Sequence, residues 1–259
     1  MAFAELDGVR IRHELTGDPG LPVLVLSHAL GVDLTIWEPQ LAALASHVRV
    51  LRYDTRGHGG SSVAGGHYTA AGLGRDVLAL LDALGIEQAS FCGLSMGGVV
   101  GQWLGIHAQD RIRRLVLANT AAKIGSEEAW NSRIETVLRD GLDPVIPGTL
   151  ERWFTAPFRA AEPETIAHTA ALLRATSTKG YAACCAAIRD ADFRSGIKRI
   201  KIPSLIIAGR EDPVTSIQDG AFLAESITGS RYVELAAAHL SNVEAAGAFN
   251  EALLAFLLA

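Results

Sequence analysis

A serine flanked by glycines stands at the centre of residues 93–97, Gly-Leu-Ser-Met-Gly. The segment follows the apolar run 89–92 and precedes the helical pattern 99–107, so it predicts a strand, a sharp turn and a helix. Such a turn exposes the serine hydroxyl at a helix N-terminus, where N–H groups and the helix dipole favour developing negative charge. The context predicts Ser95 as a nucleophile and disfavours the alternative, a glycine-rich turn with an incidental serine.

A serine hydroxyl becomes an effective nucleophile when a base takes its proton, and histidine is the usual base because its pKa lies near neutral pH. His239 follows the last apolar run. In one common order of such groups the nucleophile comes first along the chain, then the acid and then the histidine, so this is where the base is expected. His28, in a loop after an early strand, is the alternative base, and its other possible role is to shape that loop.

An acid that orients the histidine should follow a strand between the serine and His239. Asp212 follows the apolar run 205–208 and is the candidate, with its neighbour Glu211 as the alternative. A carboxylate bonded to the imidazole fixes its tautomer and stabilises the imidazolium. Because Asp212 precedes a proline, it also suits a simple turn, but its place in the chain order favours the acid.

Two backbone N–H groups must stabilise the charge that develops on the attacked carbonyl oxygen. Met96, directly after the nucleophile, supplies one. The loop after the apolar run 23–26 should supply the other, from Leu30 or, as the alternative, from Ala29. A second loop, residues 54–59, should reach the same edge, with Asp54 and Arg56 pairing to hold it rather than taking part in catalysis.

Short apolar runs alternate with helical patterns along the chain. The runs lie at residues 9–15, 23–26, 48–53, 89–92, 115–118, 205–208 and 232–235, and helical spacing appears at 73–84 and 249–257. This alternation predicts a mostly parallel sheet with helices on both faces, and the first run is expected at the sheet edge.

One region departs from this alternation. Between residues 123 and 196 the pattern is helical and contains no clear strand. We expect an α/β core at 1–122 and 197–259, with a helical cap at 123–196 over the carboxyl ends of the strands, where ligands of such sheets bind. Ordinary crossover helices are the alternative, which the length of the region disfavours.

The bulk properties are those of a globular enzyme. Of 259 residues, 49% are apolar and 20% are charged, and the net charge of −5 gives no basic surface for nucleic acid. We expect no membrane span and no secretory signal. Three cysteines with one adjacent pair, Cys92, Cys184 and Cys185, fit reduced thiols in a cytoplasmic protein and neither a disulfide framework nor a zinc site. No metal or cofactor is expected, and the oligomeric state is left open.

These segments resemble the α/β-hydrolase superfamily over the whole chain, and within it the 3-oxoadipate enol-lactonase family. The similar segments are residues 27–33 with Trp37, 53–59, 93–98, 117–125, 152–155 and 239–244, together with Trp130 and Arg133. The resemblance implies an α/β-hydrolase fold with an eight-stranded sheet. It also implies an activity: opening of an anionic enol-lactone to 3-oxoadipate in the β-ketoadipate pathway of aromatic catabolism, with Ser95, Asp212 and His239 as the triad.

A substrate with a free carboxylate requires a cation or a donor in the cap. Arg133 and Arg152 are the candidates, beside Trp130 and Trp153 as apolar walls, although each also suits a surface arginine or a core tryptophan. Two other functions use the same segments. A general carboxylesterase or cofactor-free perhydrolase would keep the triad and change the substrate, and a hydrolase-like receptor would bind a small lactone with little or no turnover.

Overall fold

A central eight-stranded sheet organises the computed structural model, which describes residues 2–259. The strands are β1 (Ala2–Leu6), β2 (Val9–Thr16), β3 (Val23–Ser27), β4 (Arg49–Tyr53), β5 (Ala89–Leu94), β6 (Ile112–Ala118), β7 (Ser204–Gly209) and β8 (Arg231–Leu235). Their order is β1-β2-β4-β3-β5-β6-β7-β8. β2 pairs antiparallel with both of its neighbours, β1 and β4, and all the other neighbouring pairs are parallel. The predicted mostly parallel sheet is confirmed.

The N-terminal edge differs from the prediction. Residues 9–15 were expected at the edge, but β1 pairs antiparallel with β2 and takes that position. Leu6 pairs with Val9, so only Asp7 and Gly8 connect the two strands. Asp-Gly is a strong signal for a two-residue hairpin, and this signal identifies β1 better than its weak apolar pattern does.

Two groups of helices pack against the sheet. The helices are α1 (Glu38–Leu44), α2 (Ala70–Ala83), α3 (Met96–His107), α4 (Glu127–Asp140), α5 (Ile146–Trp153), α6 (Ala156–Ala161), α7 (Pro163–Ala175), α8 (Thr178–Asp190), α9 (Ile217–Ser226), α10 (Ser241–Glu244) and α11 (Ala246–Leu257). In one group, α3 contacts α2 and the central strands, and α9 contacts β7 and β8. In the other, α1 contacts β4, α10 and α11. This two-sided cover explains why β5 and β7 are buried at every residue.

The predicted helix at 73–84 corresponds to α2, which begins three residues earlier. Thr69 caps α2 by accepting a hydrogen bond from the backbone N–H of Gly72. The apolar side chains at Leu73, Val77 and Leu80 form its buried stripe. Among residues 2–259, no helix has both the length and the apolar character needed to cross a membrane.

The chain between β6 and β7 forms α4 to α8 and, within residues 123–196, contains no strand. The division into a core and a separate cap, with boundaries at 122 and 197, stays a prediction. Where α8 begins, its backbone touches the loop after β4. A Cβ added to Gly180 would lie 2.2 Å from the carbonyl oxygen of Gly57, closer than any real contact. This approach requires glycine at position 180.

We expect Gly180→Ala to lower the free energy of unfolding by about 2 kcal/mol, because the new methyl group forces α8 away from Gly57. Urea unfolding of the variant and the wild type measures the difference. Gly247→Ala in α11 is the matched control, since nothing lies within 4 Å of its added Cβ. The control should gain a few tenths of a kcal/mol from helix propensity, and equal behaviour of the two variants would contradict the close approach.

Candidate active site

Ser95 lies at the turn between β5 and α3. Its backbone φ of 55° is in the left-handed region, which is unusual for a residue other than glycine. A Cβ at Gly93 would meet the carbonyl oxygen of Gly97 at 2.1 Å, and a Cβ at Gly97 would meet that of Ser27 at the same distance. The two glycines are therefore required by close backbone contacts, as the sequence pattern suggested.

Ser95, His239 and Asp212 form one hydrogen-bonded line. The Oγ of Ser95 lies 2.8 Å from Nε2 of His239, and Nδ1 of His239 lies 2.7 Å from Oδ2 of Asp212. Each residue follows the carboxyl end of a parallel strand, β5, β7 or β8. Asp212, and not the exposed Glu211, faces the imidazole. The line gives a hydroxyl, a base able to take its proton and a carboxylate that orients the base.

The Asp212 carboxylate is buried but well supplied with donors. Oδ1 accepts hydrogen bonds from the backbone N–H groups of Val214 (2.8 Å) and Thr215 (3.1 Å), and Oδ2 accepts from Thr215 Oγ1 (2.8 Å) and Asn119 Nδ2 (3.0 Å). Burial by itself raises the pKa of Asp212, but His239 and these hydrogen bonds outweigh it, so the pKa lies below its usual range. The carboxylate is therefore ionised at neutral pH.

Asn119 is a site residue that sequence reasoning did not identify. It follows β6, has a φ of 44°, and donates from Nδ2 both to Asp212 and to the carbonyl oxygen of Ala238 (3.1 Å). Its Oδ1 accepts a hydrogen bond from Ser241 Oγ at 2.5 Å. Asn119 therefore ties the acid to the segment carrying His239. Its sequence signal was its place directly after a central strand.

The backbone N–H groups of Met96 and Leu30 are the candidates for the oxyanion donors. Met96 is the first residue of α3, and Leu30 lines the same small pocket as Ser95 and His239, whereas Ala29 does not. Within residues 2–259, neither the Leu30 nor the Met96 N–H donates to a protein acceptor. Both are therefore available to a ligand oxygen.

The direction of the Leu30 N–H is set by His28. The Nδ1 of His28 donates to the carbonyl oxygen of Ala29 (2.7 Å), and its Nε2 accepts from the backbone N–H of Thr55 (2.9 Å). Burial lowers the pKa of His28, although Asp54 partly opposes this. The Ala29 carbonyl and the Leu30 N–H belong to one planar trans peptide and point in opposite directions. A neutral His28 that holds the carbonyl thus turns the N–H away from itself. His28 makes no hydrogen bond to Ser95, unlike His239.

The next residue, Gly31, is held through both of its backbone groups. The Nε2 of His58 accepts from the Gly31 N–H at 2.9 Å, and burial, followed by the neighbouring His28, lowers the pKa of His58 to about 3. Thr176, at the end of α7, donates from Oγ1 to the Gly31 carbonyl oxygen at 3.0 Å. The loop that carries Leu30 is thus anchored both by the core and by the helices after β6.

The expected ion pair between Asp54 and Arg56 is wrong. Arg56 pairs with Asp76 of α2, while Asp54 pairs with Arg12 of β2 at 3.1 Å. The Asp54 carboxylate also accepts from the backbone N–H groups of Leu34 and Gly60, each at 2.8 Å. These donors hold the carboxylate between β2 and the end of its own loop, and Arg56 is not among them.

A small inner pocket of about 40 Å³ lies against Ser95 and His239, and a larger outer pocket of about 560 Å³ adjoins it. The inner pocket is lined by all four side chains expected from the cap, which are Trp130, Arg133, Arg152 and Trp153. It is also lined by four that sequence reasoning missed: Ile124, Tyr181, Ile188 and Val214. Of the expected four, Trp130, Arg133 and Arg152 also line the outer pocket. The structure therefore brings the sequence-predicted residues to one place.

The two arginines carry positive charge into this pocket without a carboxylate to balance it. Arg133 donates from Nη2 to Thr149 Oγ1 (2.6 Å), which is neutral. Neither arginine forms an ion pair with a carboxylate of residues 2–259. Burial, and then the charge of Arg133, lower the pKa of Arg152. Two neighbouring guanidinium groups of this kind favour an anionic ligand.

Comparison with known proteins agrees with this geometry. A family model described as alpha/beta hydrolase fold matches residues 22–246. Over 249 residues the chain is 45% identical to 3-oxoadipate enol-lactonase 2 of Acinetobacter baylyi. The aligned region covers 96% of this chain and 93% of that protein. The chain belongs to the α/β-hydrolase family. The predicted fold and the ester-hydrolase class are confirmed, as is the resemblance to the enol-lactonases.

Solved structures in the family show the same architecture. The crystal structure of the enol-lactonase from Burkholderia xenovorans has a TM-score of 0.98 and 44% identity, with 100% of both chains covered. A thermophilic esterase from Thermogutta terrifontis with malate bound has a TM-score of 0.93 and 26% identity, covering 100% of this chain and 98% of the other. The same fold therefore occurs in both a lactonase and an esterase that are similar to this chain.

We expect Asn119→Asp to lower the free energy of unfolding by about 2 kcal/mol at pH 7, because a second carboxylate replaces a donor to Asp212. In the wild type, ionised Asp212 stabilises the fold above its unfolded pKa, and this contribution is lost as pH falls through the lower folded pKa. In the variant the like charge raises the pKa of Asp212. The difference should therefore shrink toward about pH 4, where the two carboxylates share a proton.

Urea unfolding at both pH values measures this difference. Asn131→Asp is the matched control, because it adds the same charge beside Arg189, whose Nη1 already lies 2.7 Å from Asn131 Oδ1. A loss in Asn119→Asp that is the same at both pH values would contradict the electrostatic explanation.

Proposed function

We propose that this protein hydrolyses 3-oxoadipate enol-lactone to 3-oxoadipate, in the β-ketoadipate pathway of aromatic catabolism. The observation that carries the proposal is the hydrogen-bonded line from Asp212 to Ser95, which opens into a pocket with two arginines free of carboxylate partners. The substrate is a five-membered enol-lactone with an acetate arm, so it has both an ester carbonyl and a negative charge. Relatives at 44–45% identity are 3-oxoadipate enol-lactonases or an enol-lactonase, and this likeness supports the substrate. A cytoplasmic location remains a prediction.

Acylation begins when Ser95 Oγ attacks the lactone carbonyl carbon and its proton passes to His239 Nε2. The N–H groups of Leu30 and Met96 stabilise the oxyanion, and ionised Asp212 stabilises the imidazolium. The ring C–O bond then breaks. The leaving oxygen is an enolate, a better leaving group than an ordinary alkoxide, and protonation through His239 yields the ketone.

Deacylation uses the same groups. His239 takes a proton from a water molecule, which attacks the acyl carbon of the ester on Ser95. The second tetrahedral intermediate collapses, the bond to Oγ breaks, and Oγ recovers the proton from His239. Because the leaving oxygen stays tethered, the whole substrate remains attached until this step. The pocket therefore holds a monoanion on entry and a dianion on release.

Recognition of the acetate arm is assigned to Arg133 and Arg152. Both line the inner and the outer pocket, and neither is neutralised by a carboxylate of residues 2–259. Trp130 and Trp153 provide apolar walls for the ring; the Trp153 ring centre lies 6.3 Å from that of His239. A neutral ester gains nothing from the two cations, so this arrangement favours an anionic substrate over a general ester.

The test is turnover of freshly generated 3-oxoadipate enol-lactone compared with p-nitrophenyl acetate. The wild type should prefer the lactone by kcat/KM, and Ser95→Ala should lower kcat by roughly three to six orders of magnitude while the fold is retained. Preference for the simple ester would favour a general carboxylesterase or perhydrolase. Binding of the lactone without turnover would favour a receptor.

We also expect His28→Leu to lower kcat for the lactone roughly 10- to 100-fold with little change in KM, because the Ala29–Leu30 peptide is then free to rotate away from the oxyanion. His13→Leu is the matched control. His13 is also buried, at 5% exposure, but it lies in β2 and outside the pocket. Unfolding curves confirm that both variants fold, and unchanged kcat in folded His28→Leu would show that His28 does not orient the donor.

A further inference from the structure

The hydroxyl of Tyr181 differs from those of the other tyrosines. The hydroxyls of Tyr53, Tyr68 and Tyr232 each have a hydrogen-bond partner, at 2.8 Å, 3.0 Å and 3.1 Å respectively. Tyr181 lies in α8, is only 1% exposed, and its hydroxyl forms no hydrogen bond with any group of residues 2–259. Buried polar groups without a partner are uncommon, because they lose their hydrogen bonds to water.

This hydroxyl opens into the inner pocket. Some unpaired polar atoms of the protein are completely enclosed, among them Trp37 Nε1 and Gln102 Oε1, but the Tyr181 oxygen is not one of them. Part of its surface is therefore accessible, and the pocket that Tyr181 lines is the one containing Ser95 and His239. A ligand in that pocket is the partner that the hydroxyl lacks.

The surroundings indicate the charge of that ligand. The guanidinium carbon of Arg133 lies 6.0 Å from the centre of the Tyr181 ring, and Arg152 lines the same pocket. Burial, the largest effect, raises the pKa of Tyr181, and the two arginines only partly oppose this. The phenol therefore stays protonated at neutral pH and is a hydrogen-bond donor beside two cations.

We propose that the Tyr181 hydroxyl donates a hydrogen bond to the substrate carboxylate, as a third donor beside Arg133 and Arg152, and so determines specificity for an anionic lactone. A carboxylate offers about four lone-pair sites and can accept from all three groups. This inference rests on the proposed function, since it assigns one more contact to the same substrate. It predicts an effect on the binding of the charged substrate and none on the chemistry at Ser95.

Tyr181→Phe tests the inference, because it removes one oxygen and keeps the ring that packs in the pocket. KM for the enol-lactone should rise roughly tenfold, since a hydrogen bond to a charged group is lost. The kcat for the lactone and both constants for p-nitrophenyl acetate should stay within about twofold. Tyr68→Phe is the matched control, because Tyr68 is similarly buried but lies outside the pocket. This substitution should leave the KM for the lactone unchanged relative to the KM for p-nitrophenyl acetate.

A double-mutant cycle with Arg152→Gln identifies the shared target. If both side chains hold one carboxylate, their effects on KM for the lactone should be clearly non-additive. An unchanged KM in Tyr181→Phe, or an equal rise for the neutral ester, would overturn the assignment of Tyr181 while leaving lactonase activity intact. Failure of the wild type to hydrolyse the lactone would instead refute the proposed function itself.

Discussion

The left-handed backbone at Ser95 is the constraint around which the site is arranged. A non-glycine residue in such a conformation costs of order 1–3 kcal/mol and persists only where its surroundings hold it. Here the Ser95 N–H donates to the Ala118 carbonyl oxygen at 2.9 Å, and the Thr120 hydroxyl donates to the Ser95 carbonyl oxygen at the same distance. The end of β6 and the residues after it thus hold Ser95 through both its N–H and its carbonyl group. His239 and Asp212 follow neighbouring strands at the same edge, so parallel pairing brings all three side chains together.

Charge is distributed unevenly around this turn. On one side, the buried Asp212 carboxylate has a full set of donors and remains ionised. On another, His28 and His58 are held neutral by burial and serve as hydrogen-bonding groups for the loop that carries Leu30. Above the serine, Arg133 and Arg152 remain unbalanced. The Asp212 charge is therefore satisfied by groups of the protein itself, whereas the charges of Arg133 and Arg152 have no carboxylate partner within residues 2–259.

Much of this arrangement follows from local sequence. The glycine-flanked turn predicts Ser95 as a site residue, and chain order after buried strands predicts Asp212 and His239, because parallel sheets place such positions at one edge. The structure brings these three side chains together. Asn119 was missed because its role depends on contacts with Asp212 and Ala238, which are far away in the sequence. The partners of Asp54 and Arg56 were also long-range, on β2 and α2. Side-chain pairing between elements is set by packing, which no local pattern encodes.

The substrate is held in one piece throughout the proposed reaction, and this gives a direct measurement. Rapid acid quenching during lactone turnover, followed by mass spectrometry of the peptide containing Ser95, detects the acyl-enzyme. The proposed mechanism predicts a mass increase on Ser95 equal to the whole lactone, since the leaving oxygen stays tethered. Full-rate turnover with Ser95 unmodified at every quench time, or an adduct on a different residue, would contradict it.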